Sequence, residues 1–132
     1  MQETLVIVKP DAVRRGLIGE ILARIERKGL RIAEMRTMRI GRELSEEHYA
    51  EHREKPFFDE LVGFITSSDV VVARVVGEGA VAVVRELMGP TDPAQAPPGT
   101  IRGDFGLRIT ENLIHGSDSS ETAKRELDLF FS

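Results

Sequence analysis

The part of the sequence best suited to chemistry surrounds a histidine, His115. This residue lies within Asn112-Leu113-Ile114-His115-Gly116-Ser117-Asp118-Ser119, at the predicted end of a strand and before a cluster of helix-capping residues. Anions are favoured beside a helix N-terminus, and an imidazole that is largely neutral at pH 7 has one nitrogen free to attack. The segment therefore fits a nucleophilic histidine at an anion site. It also fits a histidine that only packs at a strand end, and the pattern alone leaves both interpretations open.

Cationic and hydroxyl side chains recur at the predicted ends of other elements. Lys9 follows a strand and precedes a proline, so its side chain should point away from the edge of the sheet. Arg102 has a glycine nearby on each side, and such glycines let a guanidinium group approach an anion closely. Thr91 follows a helix, and Arg85 within that helix also fits an ordinary surface position.

Two further histidines, His48 and His52, are four residues apart on a possible helix. No third ligand stands at an obvious spacing from them, so we expect both side chains to be exposed and not to bind a metal. The sequence also lacks both glycine-rich loops that cradle nucleotide phosphates, and no aspartate pair stands out for Mg²⁺. Any chemistry on nucleotides would have to hold phosphates with side chains and use metal that the nucleotide brings.

The composition limits the class of protein. A length of 132 residues predicts a single domain over residues 1–132. Hydrophobic residues make up 41% and charged residues 30%, as in soluble proteins with a core, and no apolar run reaches the roughly 18 residues of a membrane span. The absence of cysteine excludes disulfides and thiolate metal sites and fits a reducing compartment. A net charge of −4 and 5% aromatic residues disfavour a nucleic-acid partner.

Apolar periodicity and breaker residues predict the elements that must position these side chains. The predicted strands cover residues 4–8, 30–40 with a bulge, 70–76 as a central strand buried on both faces, and a last strand that ends at His115. The predicted helices cover residues 18–25 with Gly29 as a left-handed end, a short helix capped by Ser45, residues 58–65, residues 81–88, and a C-terminal helix capped by Ser119 or Ser120.

Residues 90–112 hold four of the six prolines and show no sustained period. Their apolar residues, Ile101, Phe105, Leu107 and Ile109, can be packed, so we expect an ordered functional loop. With the short inserted helices set aside, the elements read β-α-β-β-α-β followed by a helix. This order predicts a ferredoxin-like α+β fold, an antiparallel four-stranded sheet with helices on one face.

The chain resembles the nucleoside diphosphate kinase family over essentially its whole length. Besides residues 112–119, matching blocks in the right order are Val8-Lys9-Pro10-Asp11-Ala12, His48-Tyr49, Lys55-Pro56-Phe57-Phe58, Gly89-Pro90-Thr91-Asp92-Pro93 and Pro98-Gly99-Thr100-Ile101-Arg102-Gly103-Asp104-Phe105. Several blocks in one order are far more specific than any single block. They favour the nucleophilic interpretation of His115.

The resemblance implies that His115 accepts the γ-phosphoryl group of a nucleoside triphosphate, typically ATP, and passes it to a nucleoside diphosphate. This would be a ping-pong cycle through phosphohistidine. Mg²⁺ would arrive bound to the nucleotide phosphates and not in a site of the protein's own. The residues that would clamp the phosphates are Lys9, Arg85, Thr91 and Arg102. The catalytic contacts around the histidine would come from Lys9, Tyr49 near the transferring phosphate, Asn112, and Ser117 with Glu126 on the second imidazole nitrogen.

The resemblance also implies contacts with the rest of the nucleotide. Lys9 and Asn112 would reach the ribose hydroxyls. Phe57 would stack on the base, and Ile109 would face the other side of that base. Because every base offers a π-face, stacking without edge hydrogen bonds should tolerate purines and pyrimidines alike.

Partners and location follow from the same resemblance. It implies a homo-oligomer in the cytoplasm, with a hexamer as the first expectation and a tetramer or dimer as the second. The expected ligands are nucleoside tri- and diphosphates, with no membrane and no nucleic acid. The main alternative is a non-catalytic ferredoxin-like module that binds nucleotide or regulates a partner. Such a relative would usually lack the histidine or a phosphate clamp, and this chain lacks neither.

Overall fold

The computed structural model describes residues 1–131, in which helices pack around one sheet. The strands are β1 (Gln2–Val8), β2 (Arg31–Met38), β3 (Val70–Gly77) and β4 (Ile114–Gly116). The helices are α1 (Pro10–Arg14), α2 (Ile18–Lys28), α3 (Arg42–His48), α4 (Phe58–Ile65), α5 (Ala80–Met88), α6 (Ile101–Phe105) and α7 (Ser120–Phe131), with 3₁₀ turns at Ala50–His52 and Pro93–Gln95. Within residues 1–131, no helix is both long and apolar enough to cross a membrane.

The sheet has the strand order β2-β3-β1-β4, and every neighbouring pair is antiparallel. β1 lies in the interior, where Ile7 pairs with Val72 on β3 and with His115 on β4. The predicted bulge is confirmed, because the register of β2 on β3 shifts between Ile32 and Glu34. The ferredoxin-like prediction is confirmed as well, and this order places His115 on a short edge strand beside the start of the chain.

Helices cover both faces of the sheet, so the prediction of helices on one face was wrong. Every side chain from Leu5 to Val8 is fully buried, and successive strand residues point to opposite faces. Val6 and Val8 pack in a core with α2 and α5, whereas Leu5 and Ile7 pack with α7 and the end of α4. A strand whose side chains are apolar on both faces must be buried on both faces of the sheet. The C-terminal helix and the inserted helices bury the second face.

Two of the predicted helix ends are confirmed and one was wrong. Gly29 ends α2 with a left-handed φ of 109°, and the Ser119 hydroxyl caps α7 by accepting from the Thr122 amide at 3.1 Å. Ser45 does not cap α3. It lies buried inside that helix, where its hydroxyl donates to the Arg42 carbonyl at 2.8 Å. A serine inside a helix can bond to a carbonyl of the same helix, so a serine alone does not show where a helix begins.

The proline-rich segment 90–112 is ordered around α6. Thr100 caps this helix through its hydroxyl oxygen, and Ile101 is fully buried. The expectation that Leu107 and Ile109 are packed was wrong, because these side chains are 80% and 55% exposed. Both residues follow α6, where the chain crosses the surface before it enters β4.

Gly116 on β4 generates the first prediction, because α5 packs directly on it. A Cβ at this position would lie 2.6 Å from Met88 Sδ and 2.8 Å from Val84 Cγ1. Gly116→Ala should lower the free energy of unfolding by about 1–3 kcal/mol through overpacking, as measured by denaturant titration. The matched control is Gly63→Ala on α4, where a Cβ meets no neighbouring atom within 4 Å. This control should gain about 0.5–1 kcal/mol, and equal stability of both variants would contradict the packing.

Candidate active site

His115 is held by one of its two ring nitrogens. Nε2 lies 2.8 Å from Oε1 of Glu126 on α7, and the Ser117 hydroxyl donates to the same oxygen at 2.6 Å. No residue from 1 to 131 forms a hydrogen bond with Nδ1. When the Nε2 hydrogen is donated to a carboxylate, the lone pair of the neutral imidazole lies on Nδ1. Nδ1 is therefore the nitrogen available for chemistry.

Glu126 is a buried carboxyl group, with 3% of its surface exposed. Burial by itself raises the pKa of Glu126, but the hydrogen bond and charge of His115, together with the bond from Ser117, hold this pKa below its ordinary value. The group is thus ionised at neutral pH and accepts the Nε2 hydrogen. A fixed carboxylate in this position orients the imidazole ring and selects its tautomer.

His48 lies against His115, so the prediction that His48 is exposed was wrong. Its side chain is 3% exposed, its ring stands edge-on to that of His115 with centroids 4.8 Å apart, and its Nδ1 lies 3.6 Å from Oε2 of Glu126. Burial, followed by the charge of His115, lowers the pKa of His48 to about 3, so the ring is neutral at pH 7. His52 is partly buried too. The one signal for His48 was its place beside Tyr49 in a block shared with the family.

His48, His115 and Glu126 each place a ligand atom within 4.8 Å of the others. Two imidazoles and one carboxylate suit Zn²⁺ and related ions, whereas Mg²⁺ prefers oxygen ligands. The cluster therefore does not fit a Mg²⁺ site held by the protein.

A cavity of about 610 Å³ opens in front of His115, a volume typical of small-molecule sites. Four cationic side chains line it, those of Lys9, Arg85, Arg102 and Arg125. Lys9 Nζ donates to Oδ1 of Asn112 at 2.8 Å. Burial, and then the positive charge of Arg102, lower the pKa of Lys9 to about 8. This concentration of positive charge favours an anionic ligand.

Arg102 is a buried guanidinium that ties three parts of the chain together. Nε donates to the Asn112 carbonyl at 3.1 Å, Nη1 to the Gly89 carbonyl at 3.0 Å and Nη2 to the Ile114 carbonyl at 2.6 Å. Burial, and then the charge of Arg85, lower the pKa of Arg102 to about 10, so it keeps its charge at neutral pH. The end of α5 and the start of β4 are thereby fixed around the cavity.

The structure brings together all the residues that the sequence analysis assigned to the site. Those that line the cavity are Lys9, Tyr49, Phe57, Arg85, Thr91, Arg102, Ile109, Asn112, His115 and Glu126. Ser117 lies behind Glu126 and reaches the histidine only through it. Arg85 Nη1 donates to the Gly116 carbonyl at 3.3 Å, and the Asn112 amide donates to the Thr91 carbonyl at 3.0 Å.

Apolar and phenolic groups complete the cavity wall. Phe57 and Ile109 are 42% and 55% exposed, and large exposed apolar side chains beside a polar cavity offer a surface for a ring. Burial, and then the charge of Glu126, raise the pKa of Tyr49 to about 12. Its phenol is therefore protonated at neutral pH and able to donate a hydrogen bond.

The arrangement suits the transfer of a phosphoryl group. The Nδ1 lone pair of His115 can bond to phosphorus, and fixed cations can offset the charge on the phosphate oxygens. The apolar wall with Phe57 suits the base of a nucleotide. The fold and the cavity thus fit the class of phosphotransferases that act on nucleotides.

Comparisons with known proteins agree with this class. A family model described as nucleoside diphosphate kinase matches residues 2–132. The nucleoside diphosphate kinase of Rubrobacter xylanophilus is 66% identical to this chain over 131 residues, which is 99% of this chain and 98% of the relative. The nucleoside diphosphate kinase of Archaeoglobus fulgidus is 58% identical over 132 residues, which is 100% of this chain and 87% of the relative.

Solved structures give the same result. A halophilic nucleoside diphosphate kinase from Halobacterium salinarum, in complex with CDP, superposes with a TM-score of 0.97 at 53% identity, over 99% of this chain and 88% of that one. The enzyme from Aquifex aeolicus superposes with a TM-score of 0.97 at 45% identity, over 99% of this chain and 95% of that one. The chain belongs to the nucleoside diphosphate kinase family. It is an enzyme that transfers a phosphoryl group between nucleotides.

Lys9 should give the stability of the unliganded protein a pH dependence of defined sign. Its pKa is about 8 in the folded protein, against an ordinary value of 10.5. Between these values the unfolded chain binds more protons, so the free energy of unfolding rises with pH. The cost of the buried charge is fully present below pH 8 and is lost toward pH 10.5. Relative to Lys9→Met, the thermal midpoint of the wild type should rise between pH 8 and about pH 10.

Lys28→Met is the matched control for this measurement. Lys28 is exposed at the end of α2, so removing it deletes one lysine charge without touching the cavity. Its thermal midpoint should follow the wild-type pH profile. If the thermal midpoints of the wild type and Lys9→Met changed with pH in parallel, the charge of Lys9 would have no cost in stability.

Proposed function

We propose that His115 is the phosphoryl carrier of this enzyme in a ping-pong cycle. Nδ1 attacks the γ-phosphorus of a nucleoside triphosphate, an N–P bond forms as the bond to the β-phosphate oxygen breaks, and the diphosphate leaves. The terminal oxygen of another nucleoside diphosphate then attacks the same phosphorus, and the N–P bond breaks. The observation that carries the proposal is the 2.8 Å contact of Nε2 with Glu126, which leaves Nδ1 free at the cavity.

In this proposal Glu126 acts on charge as well as on orientation. Once Nδ1 carries the phosphoryl group, the imidazole keeps the Nε2 hydrogen and gains positive charge during transfer. A carboxylate already in place beside Nε2 stabilises that charge without reorganising. Ser117 holds the carboxylate oxygen in position, and the neutral ring of His48 packs against that of His115 to restrict its rotation.

The phosphates are held, in the same proposal, by Lys9, Arg85, Thr91 and Arg102, and Tyr49 donates to the transferring group. Phosphoryl transfer spreads negative charge over the equatorial oxygens, so positioned cations supply most of the catalysis. Arg102 uses one hydrogen on each of its nitrogens for a carbonyl, which leaves one hydrogen on Nη1 and one on Nη2 for a phosphate. Mg²⁺ would enter with the nucleotide as part of the substrate and would offset charge on its phosphates.

The sugar and the base complete the proposed complex. Lys9 and Asn112, already joined at 2.8 Å, hold the ribose hydroxyls, and Phe57 stacks on the base with Ile109 on its other side. The exposure of Phe57 supports this role, because an accessible ring face accepts any base. We expect broad specificity for that reason. The alternative of a non-catalytic binding module is not favoured by the comparisons, since relatives at 56–66% identity are named as kinases.

We also propose that residues 1–132 act as one domain, in a cytoplasmic homo-oligomer. The pairing of β1 with β4 supports the single domain, because it joins the first and the last strand of the chain in one sheet. The preferred assembly is a hexamer with the proline-rich segment as a contact, and a tetramer or dimer comes second. The 80% exposure of Leu107, which follows that segment's helix, supports such a contact. Light scattering distinguishes the three sizes.

Labelling of His115 tests the central proposal. After incubation with γ-labelled ATP and Mg²⁺, the wild type should carry an acid-labile, base-stable label that any nucleoside diphosphate discharges. His115→Ala should take up no label, because it lacks the attacking nitrogen. His52→Ala is the matched control, since His52 lines the same cavity but has no contact with Glu126, and it should label normally. Equal labelling of the wild type and His115→Ala, or of neither, would refute the proposal.

Phe57→Ala tests the stacking role. Base–aromatic stacking contributes roughly 1–3 kcal/mol, so KM for the nucleotide should rise about tenfold. The rise should be similar for ATP, GTP and CTP, because stacking does not distinguish their edges. Met35→Ala, which removes an exposed apolar side chain from β2, should leave KM unchanged. A loss confined to one nucleotide would mean that Phe57 takes part in base selection.

A further inference from the structure

Leu113, two residues before His115, has a backbone conformation that needs support. Its φ is +77°, and it is the one non-glycine residue at positive φ within residues 1–131. The Ile114 amide donates to the Asn112 carbonyl at 2.9 Å, which closes a three-residue γ-turn around Leu113. Residues in such strained conformations persist only where surrounding contacts hold them. The turn joins Asn112 directly to the strand that bears the histidine.

The support comes from the segment that follows β1. Oδ2 of Asp11 accepts from the Leu113 amide at 3.2 Å, and the backbone amide of Lys9 donates to the Leu113 carbonyl at 2.9 Å. Both peptide groups of the strained residue are therefore bonded to residues 9–11. The bond to Asp11 is the one made by a side chain, so it can be removed without changing the backbone.

Asp11 acts on the cations of the site only from outside the cavity, where its charge raises the pKa of Lys9 and that of Arg102. It is 3% exposed and does not line the cavity, so it does not touch a nucleotide there. Its second oxygen, Oδ1, is buried with no hydrogen-bond partner in residues 1–131. A buried carboxylate with an unpaired oxygen is costly, so its presence needs a reason beyond packing. The bond to Leu113 is such a reason.

We propose that Asp11 is a positioning residue for phosphoryl transfer. Its carboxylate holds the γ-turn at Leu113, and the turn sets the direction in which Asn112 and His115 project into the cavity. In this proposal the transfer rate depends on the backbone bond and not on the charge of Asp11, and Asp11 contributes no group to the reacting atoms. The inference rests on the proposed role of His115 as phosphoryl carrier.

The test measures two quantities for Asp11→Ala, the rate of His115 phosphorylation by Mg–ATP in single-turnover experiments and the Kd of the nucleotide. A shift of about 1 Å at a reacting group costs on the order of 10²-fold in rate, so we expect phosphorylation to slow by 10- to 100-fold. The nucleotide Kd should rise by a smaller factor, because the cations that hold the phosphates remain. Asp11→Asn should restore the rate, since its amide oxygen can still accept from the Leu113 amide.

Thr4→Val is the matched control for stability. Thr4 lies on β1, is fully buried, and its hydroxyl also has no partner within residues 1–131, but it makes no contact with the turn. Whatever the change in its thermal midpoint, the phosphorylation rate of this variant should stay within twofold of the wild-type rate. The comparison separates a change in stability from a change in positioning.

The phosphorylation rates of the Asp11 variants decide the inference. A wild-type phosphorylation rate in folded Asp11→Ala, or a slow rate in Asp11→Asn, would overturn the inference. If Asp11→Ala does not fold, Asp11→Ser replaces it, because its hydroxyl is too short to reach Leu113, and failure of both to fold would make Asp11 a folding element instead. Absence of phosphohistidine in the wild type would instead refute the proposed function, so the two failures are distinguishable.

Discussion

The buried carboxylate of Glu126 is the group on which the rest of the site depends. It accepts from His115 Nε2 and from the Ser117 hydroxyl, and it lies beside the neutral ring of His48. Removal of one partner from a buried charge costs about 3–5 kcal/mol of stability, so the free energy of folding, and not only the reaction, requires that these groups stay together. Because the carboxylate must be satisfied, the imidazole is held in one tautomer before any ligand arrives. The bonds that satisfy the buried carboxylate thereby also determine which ring nitrogen stays available for chemistry.

The cations of the cavity, unlike the carboxylate of Glu126, are buried at a cost that the folded protein does not fully offset. The pKa values of Lys9 and Arg102 lie below their ordinary values, mainly because of burial and then because Arg102 disfavours the charge of Lys9 and Arg85 disfavours that of Arg102. The charge of Asp11 opposes this effect, but both pKa values stay low, so the positive charge of the cavity is not fully offset. A ligand that carries several negative charges relieves this cost when it binds. Burial of these cations lowers the stability of the folded protein, and binding of an anionic ligand restores part of it. This balance is typical of a site that must bind and release anions.

Sequence patterns predicted elements where a strong apolar period meets a breaker, as in α2 before Gly29 and α5 before Gly89. They failed at Ser45, whose hydroxyl bonds to its own helix, and at His48, whose burial depends on α7 far along the chain. The candidate site residues were named through the family resemblance, and the structure places nearly all of them around one cavity. Local pattern alone left His115 with two interpretations, because no local pattern contains the distant Glu126 that fixes its ring.

The distances along the chain explain why the site and the fold form together. The Ser117 hydroxyl accepts from the Leu5 amide across 112 positions, and Lys9 reaches Asn112 across 103. Closing such long loops costs entropy that is recovered only when many contacts form together, so these bonds depend on the whole fold. β4 has only three residues and pairs only with β1, so its ladder alone holds it weakly. Side-chain hydrogen bonds from both ends of the chain hold β4 in place, and the same bonds orient the ring of His115.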